Sequence, residues 1–78
     1  MIDYQNLRSS YIAAIQFGLM MNASYEYAKH GNDLLHELCK NCVENSNYSE
    51  HDKQNMKNDL ELVKQSLAQE IELRFHGG

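Results

Sequence analysis

Tyr11-Ile12-Ala13-Ala14-Ile15-Gln16-Phe17-Gly18-Leu19-Met20-Met21-Asn22-Ala23 holds only two polar side chains, Gln16 and Asn22, and no charge stands between Arg8 and Glu26. A helix on the surface of a small domain shows one apolar stripe and one polar face. This segment is apolar nearly all round, and a chain of 78 residues has little interior in which to hide it. The expectation is an all-α protein whose first helix is covered by a second copy or by a different protein.

The rest of the composition agrees with a helical chain. There is no Pro, and two of the four Gly are the terminal Gly77 and Gly78. Hairpins need Gly and Asn or Asp turns at short intervals, so an all-β fold is disfavoured. Seven basic side chains face eleven acidic ones. A nucleic-acid binder concentrates Lys and Arg on one face, and a membrane-surface helix is basic, so neither partner is expected. Charge is also uneven: residues 1–30 hold only Asp3, Arg8, Glu26 and Lys29, whereas the C-terminal third is densely charged. The two cysteines, Cys39 and Cys42, set no disulfide framework, and the expected setting is a reducing cytoplasm. Arg8, the apolar run 11–21 and Asn22-Ala23-Ser24 loosely resemble a secretory signal within residues 1–23. Asp3 offsets Arg8 and Gln16 interrupts the run, which weakens that reading. The run is also shorter than the ~20 residues of a membrane span.

Stepping alternately three and four residues from Tyr4 gives Leu7, Tyr11, Ala14, Gly18, Met21, Tyr25, Ala28, Asn32, Leu35, Cys39 and Cys42, with Asn32 the only amide. Asp3 is the expected N-cap. Ile12, Ile15 and Leu19 form a second stripe, and Phe17 and Met20 a third. The second stripe argues most directly for a partner. Ala14 and Gly18 are a small pair that lets another helix approach. Lys29 and His30 suit a helix end, Gly31 the left-handed residue after it, and Asn32 or Asp33 a new cap. These stop signals favour a break at 31–32 over a helix running through Asn32. Residues 45–48 form a turn. Ser49 opens a last helix with a buried stripe at Met56, Leu60, Val63, Leu67, Ile71 and Phe75 and an exposed Glu70–Arg74 pair. His76-Gly77-Gly78 is expected to fray. Residues 1–78 thus read as a single helical domain with helices over about 4–30, 33–44 and 49–75, forming a helical hairpin or three-helix bundle completed by oligomerisation.

Chemical groups are few. His36, Cys39 and Cys42 follow one another at helical i, i+3 spacing, and His51 could complete a zinc tetrahedron. The bland alternative is that both cysteines are small packing residues and His36 faces solvent. Cys39-x-x-Cys42 has redox spacing but lies towards a helix C-terminus, where the dipole does not favour a thiolate. His36-Glu37 lacks the second His of a metalloprotease helix, no phosphate-binding loop is present, and no catalytic constellation is visible, so no enzyme activity is expected.

The expected function is a small helical interaction module of co-chaperone, adaptor or inhibitor type. It pairs with itself, as a homodimer or larger assembly, or covers a partner's helix. The expected interface is Tyr11, Ile12, Ile15, Phe17, Leu19 and Met20, with Tyr27 off the main register as an exposed contact. A zinc-stabilised helical dimer using His36, Cys39 and Cys42 is the alternative, and otherwise no cofactor is expected. In size, acidity and helix-turn-helix outline the chain is similar to the small helical co-chaperones of type III secretion needle subunits. That likeness is one of general shape and carries no residue across.

Overall fold

The computed structural model describes residues 2–77, which form three helices: α1 (Tyr4–Met20), α2 (Tyr25–Glu44) and α3 (Glu50–His76). They fold as an up-down-up bundle, elongated to 43 × 18 × 16 Å. Asp3 caps α1 by accepting a hydrogen bond from the Gln5 N–H at 3.1 Å. Ser24 and Ser49 cap α2 and α3 in the same way, each accepting from the N–H three residues on at 3.1 Å. The third helix matches its sequence reading closely. Its buried residues are Leu60, Val63, Leu67 and Ile71, with Met56 partly buried and Phe75 left exposed at the end. The Glu70–Arg74 pair is not among the ion pairs formed by the described residues. His76 still belongs to α3, Gly77 caps it, and Gly78 lies outside the described residues.

The break between the first two helices is not at 31–32 but at 21–24, so the expected helices 4–30 and 33–44 are corrected to 4–20 and 25–44. Asn22 takes the left-handed conformation, with φ at 66°. Its N–H donates to Leu19 O at 3.1 Å and the Ala23 N–H donates to Gly18 O at 3.0 Å. Those two bonds are a Schellman ending with Asn in place of the usual Gly. The helix continues through Gly31 and Asn32 because the Asn32 amide finds partners in the core. Tyr11 Oη donates to Asn32 Oδ1, and Asn32 Nδ2 donates to the Lys64 carbonyl at 3.0 Å. One amide thereby ties α1, α2 and α3 together, and tertiary hydrogen bonds override the local stop signal.

The core is built from Tyr11, Ile15 and Leu19 of α1, Ala28, Cys39 and Val43 of α2, and the four buried residues of α3. The face that α1 buries is therefore turned from the expected one: Ile15 and Leu19 point inward, while Ala14 and Gly18 lie at its edge. Tyr4 and Arg8 anchor the start of α1 to α3. Tyr4 Oη donates to Asp59 and to Met56 O, and Arg8 Nε lies 2.9 Å from Asp59 Oδ2. At the other end Tyr25 Oη donates to Glu72, and its ring meets Phe75 edge-on at 5.6 Å.

Candidate interaction face

The seams between the helices differ in their electrostatics. Arg8–Asp59 crosses from α1 to α3; Lys57–Glu44 at 2.7 Å and Lys64–Asp33 at 3.6 Å cross from α3 to α2. Among the described residues no ion pair crosses from α1 to α2. The reason lies in the sequence, because Arg8 is the only charged residue of α1 and it is engaged with α3.

A groove runs along the α1–α2 seam on the side away from α3. One part of it is a hollow of about 410 Å³ lined by Ala14, Ile15 and Gly18 of α1 and by Tyr27, His30, Gly31, Leu34 and Leu35 of α2. A second hollow of about 520 Å³ shares Ala14, Gly18 and Tyr27 with it and continues towards the 21–24 turn, bordered by Phe17, Met21 and Ala23. A separate hollow lies at the opposite end of α2, where Ile2, Leu38 and Cys42 meet the polar side chains of Asn41, Asn45, Ser46 and Asn47. None of the side chains lining these three hollows is Asp, Glu, Lys or Arg. The hollows against α3, by contrast, include Arg8, Asp59 and Glu70, or Lys29, Asp33, Lys64 and Glu72. Phe17, Met21, Tyr27 and Leu34 stand between 60% and 74% exposed along the groove, and Leu38, one helical turn beyond Leu34, is 50% exposed. Exposed apolar side chains grouped along one seam make it the candidate interaction face.

The expected interface residues divide. Tyr11, Ile15 and Leu19 are taken up by the core of the chain itself, and Ile12 is half-buried against it. The second stripe is thus covered by α2 and α3 and does not itself demand a partner. Phe17 and Tyr27 lie on the groove, and Met20 is exposed at the end of α1. Sequence reading missed Gly31, Leu34 and Leu38. The signal was present as the 4-3-4 spacing of Tyr27, Gly31, Leu34 and Leu38, a second stripe on the outer face of α2. It was hidden by assigning Gly31 to a helix end.

The zinc candidates are also separated. His36 is buried, contrary to the solvent-facing reading, and Cys39 is buried with it, whereas Cys42 and His51 are exposed. No three His, Cys, Asp or Glu side chains among the described residues converge as a metal site requires. Burial raises the pKa of the Cys39 thiol, with Cys42 adding to the effect, which works against thiolate chemistry. Neither ring nitrogen of His36 makes a hydrogen bond. Glu61 Oε2 comes within 3.3 Å of Nε2, but its alignment does not make one. Burial also raises the pKa of the Tyr11 hydroxyl above its ordinary value, with Cys39, Asp33 and Glu61 adding to the shift. Tyr4 is raised first by burial and then by its hydrogen bond to Asp59.

No protein-family model matches the chain, and no curated protein or solved structure matches it either. No helix of the structure is long and apolar enough to cross a membrane among the described residues.

Proposed function

We propose that this chain is a helical protein–protein interaction module, of co-chaperone, adaptor or inhibitor type, that works through the α1–α2 groove. The observation that carries this reading is the absence of Asp, Glu, Lys and Arg from the groove, on a chain with eighteen such residues. An apolar channel between two helices suits the apolar stripe of a third, by helix-in-groove recognition. The exposed thiol of Cys42 fits a reducing compartment, and we place the protein in the cytoplasm.

The test is binding of an apolar fluorescent dye, anilinonaphthalene sulfonate, to the parent and to Tyr27→Asp at about 1 μM chain, where weak self-association is dissociated. Tyr27 is exposed, so the variant keeps its helices by circular dichroism. Dye binding by the parent that is lost in Tyr27→Asp supports the groove. Equal binding by both chains, or none by a parent that light scattering shows to be monomeric at that concentration, ends this reading.

A further inference from the structure

We infer that the occupant of the α1–α2 groove is a second copy of this chain, packed face to face in a two-fold dimer. The inference rests on the groove reading above and names its partner.

Charge is the first argument. The chain carries a net charge of −4, so two copies repel one another on most approaches. The hollows of the α1–α2 face contain no Asp, Glu, Lys or Arg, so two copies can meet there with the nearest charge, Glu26 beside His30, left at the edge. A neutral apolar face is its own electrostatic complement.

Area is the second. Phe17, Met21, Tyr27, Leu34 and Leu38 are half to three-quarters exposed. At roughly 200 Å² for a side chain of this size fully exposed, the five present roughly 600 Å² before the groove floor is counted. A standard stable interface takes about 800 Å² from each partner, so the face is of the size that a dimer of this chain needs.

Shape is the third. A two-fold interface joins one patch to itself, so the patch must hold both projections and a recess to receive them. Phe17, Tyr27 and Leu34 project beside the hollow over Gly18 and Gly31. Neither glycine is required within the chain. Both are helical with negative φ. A Cβ at Gly31 would meet only Ile15 Cδ1 at 3.7 Å, and one at Gly18 only Ala23 Cβ at 4.0 Å. A helix-interior glycine costs roughly 0.5–1 kcal/mol relative to Ala. The two sites leave room outside the chain, where a helix of the second copy can approach closely.

The experiment is native mass spectrometry and light scattering across a dilution series. It compares the parent, Leu34→Asp on the groove wall, and Leu73→Asp as an exposed control on α3. The parent is expected to be a dimer at about 100 μM and to dissociate on dilution. Leu34→Asp should raise the dimer dissociation constant on the order of 100-fold, as for a buried interface anchor. Leu73→Asp should leave it unchanged, and all three should keep the same circular dichroism. A monomeric parent at about 100 μM overturns the inference, as does a dimer that Leu34→Asp leaves intact. If the parent is monomeric and still binds the dye through Tyr27, the groove reading survives with another occupant. If it is monomeric and binds no dye, both readings fail.

Discussion

Replacing His36 by Leu should make the protein more stable. His36 is 4% exposed, and neither ring nitrogen has a hydrogen-bond partner. A neutral imidazole carries one donor and one acceptor, and each polar group buried without a partner costs about 1–3 kcal/mol. Leu at the same place buries apolar surface instead, and an apolar swap of similar volume costs under about 1.5 kcal/mol in packing. The nearby Glu61 carboxylate is half exposed, so its attraction to the ring offsets less than about 1 kcal/mol. The balance is a gain of about 1–2 kcal/mol. In a domain of this size each kcal/mol raises Tm by roughly 4–8 °C. The assay is urea and thermal unfolding followed by circular dichroism, at one fixed, low chain concentration so that assembly does not contribute. The midpoint should rise with the denaturant slope unchanged. Glu61→Gln is the companion variant and should shift stability by less than about 0.5 kcal/mol, as a surface change does. A His36→Leu chain no more stable than its parent refutes the reasoning. So does a loss of more than about 1 kcal/mol in Glu61→Gln, which would make the His36–Glu61 contact a strong ion pair.

Three further outcomes follow from the same geometry. Tyr11→Phe removes the hydroxyl that donates to Asn32 Oδ1 in the core and should cost about 1–3 kcal/mol in unfolding experiments. Gly31→Ala places a methyl in ordinary contact with Ile15 and should stabilise the dissociated chain by about 0.5–1 kcal/mol, read from the same denaturation curves. Tyr4 and Tyr11 have raised pKa values in the folded state, so the fold holds their protons more tightly than the unfolded chain does. Their contribution is complete below the unfolded value of about 10 and is lost as pH rises beyond it. An ultraviolet tyrosine titration should therefore show part of the phenolate signal appearing together with loss of helix. A titration complete before any helix is lost would contradict that linkage.

The legible and the hidden parts of this chain separate for physical reasons. Helix starts were readable because Asp3 and Ser49 act within three residues of themselves, and the α3 stripe was readable because its apolar positions recur against a charged background. The first turn was not. Gly31 was read as the left-handed stop, whereas Asn22 takes that conformation, and which of the two ends the helix depends on residues distant in sequence. Asn32 remains in a helix only because Tyr11 and the Lys64 carbonyl satisfy its amide. Moving the break from 31 to 22 rotates the pattern. Ile15 and Leu19 turn into the core, whereas Ala14, Gly18 and Met21, which looked like core positions, come to lie along the groove. Segment 11–23 has no charged side that would have shown which way α1 faces, so the feature that gave away the helix also concealed its orientation.

Two costs fall on the same side of the molecule. A small domain buries only about 60% of the surface its unfolded chain exposes, so uncovered apolar side chains weigh heavily in its stability. Here five of them border the α1–α2 seam, while the ion pairs between helices all involve α3. The second cost is in the backbone, from Gly18 and Gly31 inside helices where Ala would fit. Packing within one chain explains neither. Solubility alone would be served by charged residues in the seam, and helix stability by alanines. A helix lying in the groove accounts for both at once, since it covers Phe17, Tyr27 and Leu34 and needs a floor free of side chains. Gly31→Ala separates the two effects: it should strengthen the isolated bundle while weakening whatever lies in the groove. If the variant gains stability and keeps full assembly at every concentration, the floor of the groove is not where the partner sits.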